Sequence, residues 1–222
     1  MGHFGRTGEQ QEAEIIVAID PGVSGAIALN DWACGRLEVI PMPVQHRYIA
    51  GRKLRTVIDE GEVISTLQAF AAMGATHLFI EQVSGLPGQS APAAFAFGQG
   101  YGAVRVAGMA AGLILEAVPP AVWKAALKVP KDKRAARQRA SEMIPTHRHL
   151  WSMAKDDGLA EAALLSLYGQ RWVQGALQRT QKDVNDIEKA RQAREASAQR
   201  KRERAEATKA RIAAERSREP QA

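Results

Sequence analysis

The sequence predicts one α/β domain followed by a basic, charged tail. Short apolar runs ending at turn residues alternate along residues 14–172 with segments of helical periodicity, which indicates a mixed sheet flanked by helices. Apolar residues make up 45% of the 222-residue chain and aromatic residues only 5%, so aliphatic side chains must fill the core. We expect a flexible leader over 1–13, the domain over 14–172, and a helical or disordered tail over 173–222.

The first half of the domain is predicted to hold four strands and one helix. Apolar runs bounded by Pro-Gly and Ser-Gly turns favour strands, and apolar residues three and four apart favour the helix, which Gly74 would end. The polar composition of 45–55 predicts a loop. The expected order is strand 14–20, strand 26–30, strand 35–42, loop 45–55, helix 61–74 and strand 76–82.

The second half is predicted to be mostly helical around one further strand. Pro119 and Pro120 end that strand, and Pro145 ends a helix, because proline cannot continue either element. The expected order is helix 92–112, strand 113–118, helix 121–127, helix 133–143 and helix 156–172. The domain is therefore read as β-β-β-α-β-α-β-α-α-α.

Positive charge is concentrated in the tail and in one segment of the domain. Of 30 basic and 24 acidic residues, 16 of each lie in 1–170, so the last 52 residues carry the whole net charge of +6. Within the domain, 124–139 has seven cations and one acid, and contact with DNA phosphates is preferred over a merely solvated helix face. The predicted DNA-binding residues are Lys124, Lys128, Lys131, Lys133, Arg134 and Arg137.

Several classes of protein and site are excluded by composition. The single Cys34 cannot form an internal disulfide or a cysteine zinc cage, which favours a reducing compartment. No apolar run reaches the roughly 18–20 residues that span a bilayer, so no membrane association is expected. The glycines of 85–102 match no phosphate-loop or dinucleotide pattern, so no nucleotide cofactor is expected. His147 and His149 are left open between surface residues and metal ligands.

Acidic residues follow two of the predicted strands and open the last helix. Asp20 and Glu81 end apolar runs, and Asp157 and Glu161 are four apart on one helical face, whereas Asp156 diverges from that face. Mg²⁺, for which Mn²⁺ often substitutes, prefers carboxylate oxygens, and two such ions about 3.5–4 Å apart can clamp the reacting oxygens of a phosphodiester. The alternatives stay open that Asp20 is only a turn residue and that Asp156 or Asp157 is a helix cap.

The motifs together resemble those of the RuvC-type Holliday-junction resolvases and their phage relatives. The resemblance covers residues 14–170 and depends on the order of four motifs: Asp20-Pro-Gly with Gly25 behind it, Ile80-Glu81, Pro119-x-x-x-Trp123-Lys124, and Asp157-Gly-Leu-Ala-Glu161-Ala-x-Leu. The bacterial enzymes usually space the last two acids by three. Here Gly158 occupies that position, so the choice between Asp156 and Asp157 stays open.

The resemblance implies a fold, an activity and partners. It implies a ribonuclease H-like, mixed five-stranded sheet flanked by helices, in which Asp20, Glu81, Asp157 and Glu161 bind two Mg²⁺ and hydrolyse DNA phosphodiesters. It further implies branched DNA as substrate, a homodimer formed partly by 85–102, and a bacterial or phage-infected cytoplasm. Two alternatives remain. The first is an actin-like ATPase, because Asp20-Pro-Gly-x-Ser-Gly also resembles the first phosphate loop of that superfamily, although its fold needs two lobes. The second is a noncatalytic DNA-binding protein.

Overall fold

The computed structural model describes residues 15–49, 53–85, 88–175, 199–200 and 203. The predicted leader and most of the predicted tail lie outside the described residues, so the domain boundaries stay a prediction. The chain divides into two units, Met1–Leu177 and Gln178–Ala222, and the description below concerns the first. None of the described helices is long and apolar enough to span a membrane.

Seven strands and five α-helices make up the described fold. The strands are β1 (Ile15–Asp20), β2 (Ala26–Asp31), β3 (Arg36–Pro41), β4 (Val44–Ile49), β5 (Lys53–Ile58), β6 (Ala75–Glu81) and β7 (Ile114–Val118). The helices are α1 (Glu60–Ala72), α2 (Ala91–Ala110), α3 (Pro120–Ala126), α4 (Lys133–Met143) and α5 (Asp157–Val173), with 3-10 turns at Pro145–Trp151 and Ala154–Asp156. Every helix predicted from the sequence is present within a few residues of its expected bounds.

The main sheet has five strands in the order β3-β2-β1-β6-β7. β1 pairs antiparallel with β2, which pairs antiparallel with β3. On its other edge β1 pairs parallel with β6, which pairs parallel with β7. This confirms the predicted α/β class and the mixed five-stranded sheet flanked by helices.

The prediction of a loop over 45–55 is wrong. β4 and β5 form an antiparallel two-stranded ribbon, separate from the main sheet, with Val44 opposite Ile58 and Ile49 opposite Lys53. Much of this ribbon is open to solvent, and Tyr48 is 73% exposed. Because neither ribbon face is fully buried, the strands lack the continuous apolar run by which the other strands were identified.

Two apolar layers cover the two faces of the main sheet. Along β1, Ile16 and Ala18 face one layer, whereas Val17 and Ile19 face the other, as strand alternation requires. The first layer is built mainly by α3, α4 and α5, and the second by α1 and α2. All four β1 side chains are fully buried, so the strand that ends in Asp20 is held from both sides.

Candidate active site

Two carboxylates lie side by side where neighbouring parallel strands end. In the β1–β6 register Ile19 is opposite Ile80, so Asp20 and Glu81 follow at the same edge of the sheet. The residues before them are fully buried, whereas the two acids are half-buried. Carboxyl ends of parallel strands are where α/β sheets place ligands. The apolar-to-acid transitions in the sequence therefore correspond to one point in space.

The turn after Asp20 is tight enough to exclude side chains at two glycines. Gly25 donates its N–H to the Gly22 carbonyl at 2.9 Å, and a Cβ on Gly25 would lie 2.0 Å from the Asp20 carbonyl oxygen. The start of α5 presses on this turn, because a Cβ on Gly158 would lie 2.3 Å from the Ser24 carbonyl oxygen. Glycine at these positions thus lets α5 approach the end of β1.

Glu161 is brought to the same place by α5. Its Oε1 accepts a hydrogen bond from Lys124 Nζ at 3.0 Å. The Glu161 side chain is 21% exposed and the Lys124 side chain 28% exposed. The Lys124 ammonium also lies 5.0 Å from the centre of the Trp123 ring. A partly buried ammonium therefore faces the carboxylates from α3.

Trp123 orients the second acid. Its indole Nε1–H donates to Glu81 Oε2 at 2.9 Å, and the tryptophan itself is fully buried. A buried indole has two side-chain torsions locked by packing, so this bond fixes one carboxylate oxygen of Glu81. The sequence motif Pro119-x-x-x-Trp123-Lys124 contains this tryptophan, but the motif alone does not predict its hydrogen bond to Glu81. Only the contact between α3 and the end of β6 reveals it.

The pKa values of two acids of the site are raised, chiefly because the acids are buried. Burial, and then the charges of Glu161 and Glu81, raise the pKa of Asp20 from 3.8 to about 7, against a hydrogen bond from the Gly22 N–H and the charge of Lys124. Burial also raises the pKa of Glu81, partly offset by Lys124 and by the Trp123 hydrogen bond. Burial is thus the largest cause for both acids, and the charge of Glu161 adds to it for each.

The fourth predicted ligand has other partners. Asp157 forms ion pairs with Arg137 and with Lys133, the latter at 3.6 Å. Asp156 occupies the N-cap position of α5 without a side-chain cap. Its carboxylate instead accepts the Met153 N–H at 2.8 Å, and the residue is only 8% exposed. The structure thus brings together Asp20, Glu81 and Glu161, and holds Asp157 against the cations of α4.

The predicted basic segment divides into paired and exposed cations. Lys124 pairs with Glu161, and Arg137 pairs with Asp157 while donating to the Ala154 carbonyl. Lys133 pairs with Asp157 but its side chain is 77% exposed. Arg139 donates to the Leu127 carbonyl and pairs with Glu142. The other three cations, Lys128, Lys131 and Arg134, are exposed.

The two histidines lie on a separate 3-10 turn, with their rings stacked at 6.4 Å between centroids. His147 contacts Thr146 and His149, and within the described part of the chain neither histidine contacts the three acids.

The donor chemistry of the site fits a hard divalent cation. Three carboxylates converge without a thiolate or imidazole, and carboxylate oxygens are the ligands that such an ion prefers. Among the described residues, however, no group of three or more His, Cys, Asp or Glu side chains is disposed to chelate an ion. In this arrangement Lys124 and Trp123 hold the oxygens of Glu161 and Glu81 that a cation would need.

Comparison with known proteins gives likeness of fold only. No family model matches the sequence, and no curated protein matches it. Among solved structures, Thermus thermophilus RuvC in complex with a Holliday junction substrate is 15% identical, with 72% of this chain and 95% of that chain covered, and a TM-score of 0.47. A second T. thermophilus RuvC structure is 17% identical, with 73% and 96% covered and a TM-score of 0.45.

Proposed function

We propose that the chain is a metal-dependent endonuclease that cleaves phosphodiesters in branched DNA, as in Holliday-junction resolution. The observation that carries this proposal is the convergence of Asp20, Glu81 and Glu161 at the carboxyl ends of two parallel strands, with raised pKa values at the first two. Crowded carboxylates with too little compensating charge are what a divalent cation relieves. The order of the sequence motifs supports the choice of branched DNA over other phosphodiesters.

Asp20, Glu81 and Glu161 would hold the metal. A bound Mg²⁺ supplies Lewis-acid polarisation of a phosphate and lowers the pKa of a water. Trp123 keeps one oxygen of Glu81 in place through its 2.9 Å hydrogen bond. Lys124 donates a hydrogen bond to Glu161 and lies within reach of the same carboxylates. When Glu161 turns away from it, the Lys124 ammonium can bind a DNA phosphate.

We propose Asp157 as the fourth ligand. It shares the face of α5 with Glu161, one turn away, and its carboxylate is held in a defined place by Arg137 and Lys133. The release of Asp157 from Arg137 would free the carboxylate and a guanidinium together. DNA phosphate is a natural second partner for that guanidinium, because guanidinium binds carboxylate and phosphate in the same geometry.

The exposed cations around α4 support the choice of a polyanion. Lys128, Lys131 and Arg134 are exposed next to Lys133, and they lie on the same segment as Lys124, which reaches the acids. Such cations give the sequence-independent part of DNA affinity. We propose that this segment, with Arg137, contacts the DNA backbone beside the acidic site.

We further propose a homodimer formed through α2. Phe95, Val106 and Met109 are 75%, 60% and 52% exposed and lie on one face of the helix, and open space surrounds Gly98 and Gly102 between them. An exposed apolar stripe of this kind marks an interaction surface. A two-fold dimer would present two equivalent sites to opposing strands of a junction. Sedimentation should give a dimer for the full chain and a monomer for Val106→Asp.

The test is cleavage of a synthetic four-way junction by the full chain. We expect paired nicks in Mg²⁺ or Mn²⁺, none in EDTA, and much slower cleavage of a linear duplex made from the same arms. Equal cleavage of junction and duplex would remove the branched-DNA part of the proposal. Tight junction binding without cleavage in either metal would favour a noncatalytic DNA-binding protein.

A further inference from the structure

A cavity of about 630 Å³ opens beside the turn that follows Asp20. Its walls come from residues 21–24, the β4–β5 ribbon, Glu60 at the start of α1, Gln89, and one face of α2 at Ala93, Ala96, Phe97 and Gly100. Sites for small organic groups occupy about 300–1,000 Å³, so the cavity has the size of a nucleotide-binding site. We call it the ribbon cleft.

The ribbon cleft carries excess positive charge. Arg47 and Arg55 both line it, and they lie directly opposite each other on the ribbon, so their side chains share a face. Like charges directly opposite each other destabilise a strand pair. Arg47 lies 3.6 Å from Glu60, whereas no carboxylate among the described residues is within ion-pair distance of Arg55. An anion between the two arginines would relieve this repulsion.

The same cleft offers an aromatic surface. Phe97 is half-buried in the wall formed by α2. Tyr48 also borders the cleft, but strand alternation turns its side chain to the ribbon face opposite that of Arg47, so Phe97 is the aromatic side chain used here. Aromatic side chains beside arginines are typical of sites for unpaired nucleic acid, where bases stack and phosphates meet cations. A duplex keeps its bases stacked inside and has no base free for such a surface.

We propose that the ribbon cleft binds an unpaired nucleotide of the DNA strand next to the acidic site, with phosphate between Arg47 and Arg55 and the base against Phe97. The proposal rests on the nuclease function proposed above and adds the part of the substrate that the ribbon recognises. The cleft begins at Pro21, one residue after Asp20, so an occupant lies directly beside the strand end that carries that acid. Branched DNA offers unpaired nucleotides at the branch point. A free nucleotide has the same phosphate and base, and the test separates the two.

The test measures binding in EDTA, where cleavage cannot occur. The full chain is titrated into a labelled 12-nucleotide oligo-dT, a linear duplex, and dTMP. The variants are Arg47→Gln with Arg55→Gln, and Phe97→Leu, and the matched control is Arg36→Gln with Arg148→Gln, which removes two exposed arginines that do not line the cleft. Phe97→Tyr keeps the ring and serves as the rescue variant. Circular dichroism confirms that each variant is folded.

We expect the double arginine variant to bind oligo-dT at least tenfold more weakly, with a salt slope flatter by about 1.4 because two phosphate contacts are lost. Phe97→Leu should weaken oligo-dT binding by about fivefold or more, and Phe97→Tyr should restore it. Duplex affinity should stay within about twofold throughout, and dTMP should bind far more weakly than oligo-dT.

Three results would overturn the inference. These are unchanged oligo-dT binding in the cleft variants, equal losses for duplex and oligo-dT, and dTMP binding as tight as that of oligo-dT. Failure of the proposed nuclease function gives a different result. The wild-type chain would then still bind oligo-dT through the ribbon cleft but would leave junctions uncut in Mg²⁺.

Discussion

Replacing Asp20 with Asn should stabilise the metal-free protein above pH 7. The native carboxyl has a pKa of about 7, raised first by burial and then by Glu161 and Glu81, against an ordinary value of 3.8 that the unfolded chain would show. Between these two values the unfolded chain loses its proton while the folded chain keeps it, so wild-type stability falls as pH rises from about 4 to about 7. The amide of Asn carries no charge and keeps an oxygen for the Gly22 N–H.

The size of this effect follows from the difference between the two pKa values. About three pH units at about 1.4 kcal/mol each give a contribution on the order of 4 kcal/mol that wild type loses and Asp20→Asn does not. The free energy of unfolding of the variant should therefore exceed that of wild type by a few kcal/mol at pH 8.5, and the two should converge near pH 4. The attraction of Lys124 is already contained in the pKa of about 7, so it is not subtracted again.

Urea denaturation in EDTA from pH 4 to 8.5 measures this difference directly. Asp31→Asn, which removes another acid at a strand end, is the control and should follow the wild-type profile. If Asp20→Asn is equally or less stable than wild type at pH 8.5, then Asp20 is not crowded by Glu161 and Glu81, and the electrostatic description of the site is wrong.

Three further results are expected. Asp157→Asn should slow junction cleavage about tenfold more than Asp156→Asn, whose carboxylate is already used on a backbone N–H, and equal or reversed losses would exclude Asp157 as a ligand. Gly158→Ala should destabilise the fold by about 1–3 kcal/mol in urea, because its Cβ meets a backbone oxygen at 2.3 Å. Gly61→Ala should not, because its Cβ would make only an ordinary contact with Asp59 Oδ1 at 3.5 Å. The third variant replaces the exposed cations Lys128, Lys131 and Arg134 by Ala. The slope of log affinity for duplex DNA against log salt concentration should become flatter by up to about 3, and an unchanged slope would place these residues away from DNA.

The sequence predicted strands that are buried on both faces and helices whose apolar residues recur at helical spacing. β1 is an unbroken apolar run ending in Asp20, and β6 has the apolar run 78–80 ending in Glu81, because these parts of the two strands are covered on both faces. Their parallel register then brings Asp20 and Glu81 together, as the strand-end reasoning expected. The β4–β5 ribbon escaped the same reasoning, since its side chains alternate between partly exposed faces and its composition resembles that of a loop.

Tertiary contacts decided what the sequence left open. The spacing of Asp157 and Glu161 predicts a shared face of α5, but it holds no information about Arg137, which reaches Asp157 only because α4 and α5 pack together. The indole N–H of Trp123 likewise meets Glu81 across 42 residues of chain. Such partners cannot be derived from periodicity, which describes one element at a time.

The most direct test of the proposed site compares Asp20→Asn and Asp31→Asn with wild type on one synthetic four-way junction in Mg²⁺, with binding and cleavage measured separately. We expect Asp20→Asn to bind the junction at least as tightly as wild type, since it removes a negative charge facing phosphate, and to leave it uncut. Asp31→Asn should bind and cut like wild type. Cleavage by Asp20→Asn at close to the wild-type rate would contradict the assignment of the three converging carboxylates as the catalytic centre.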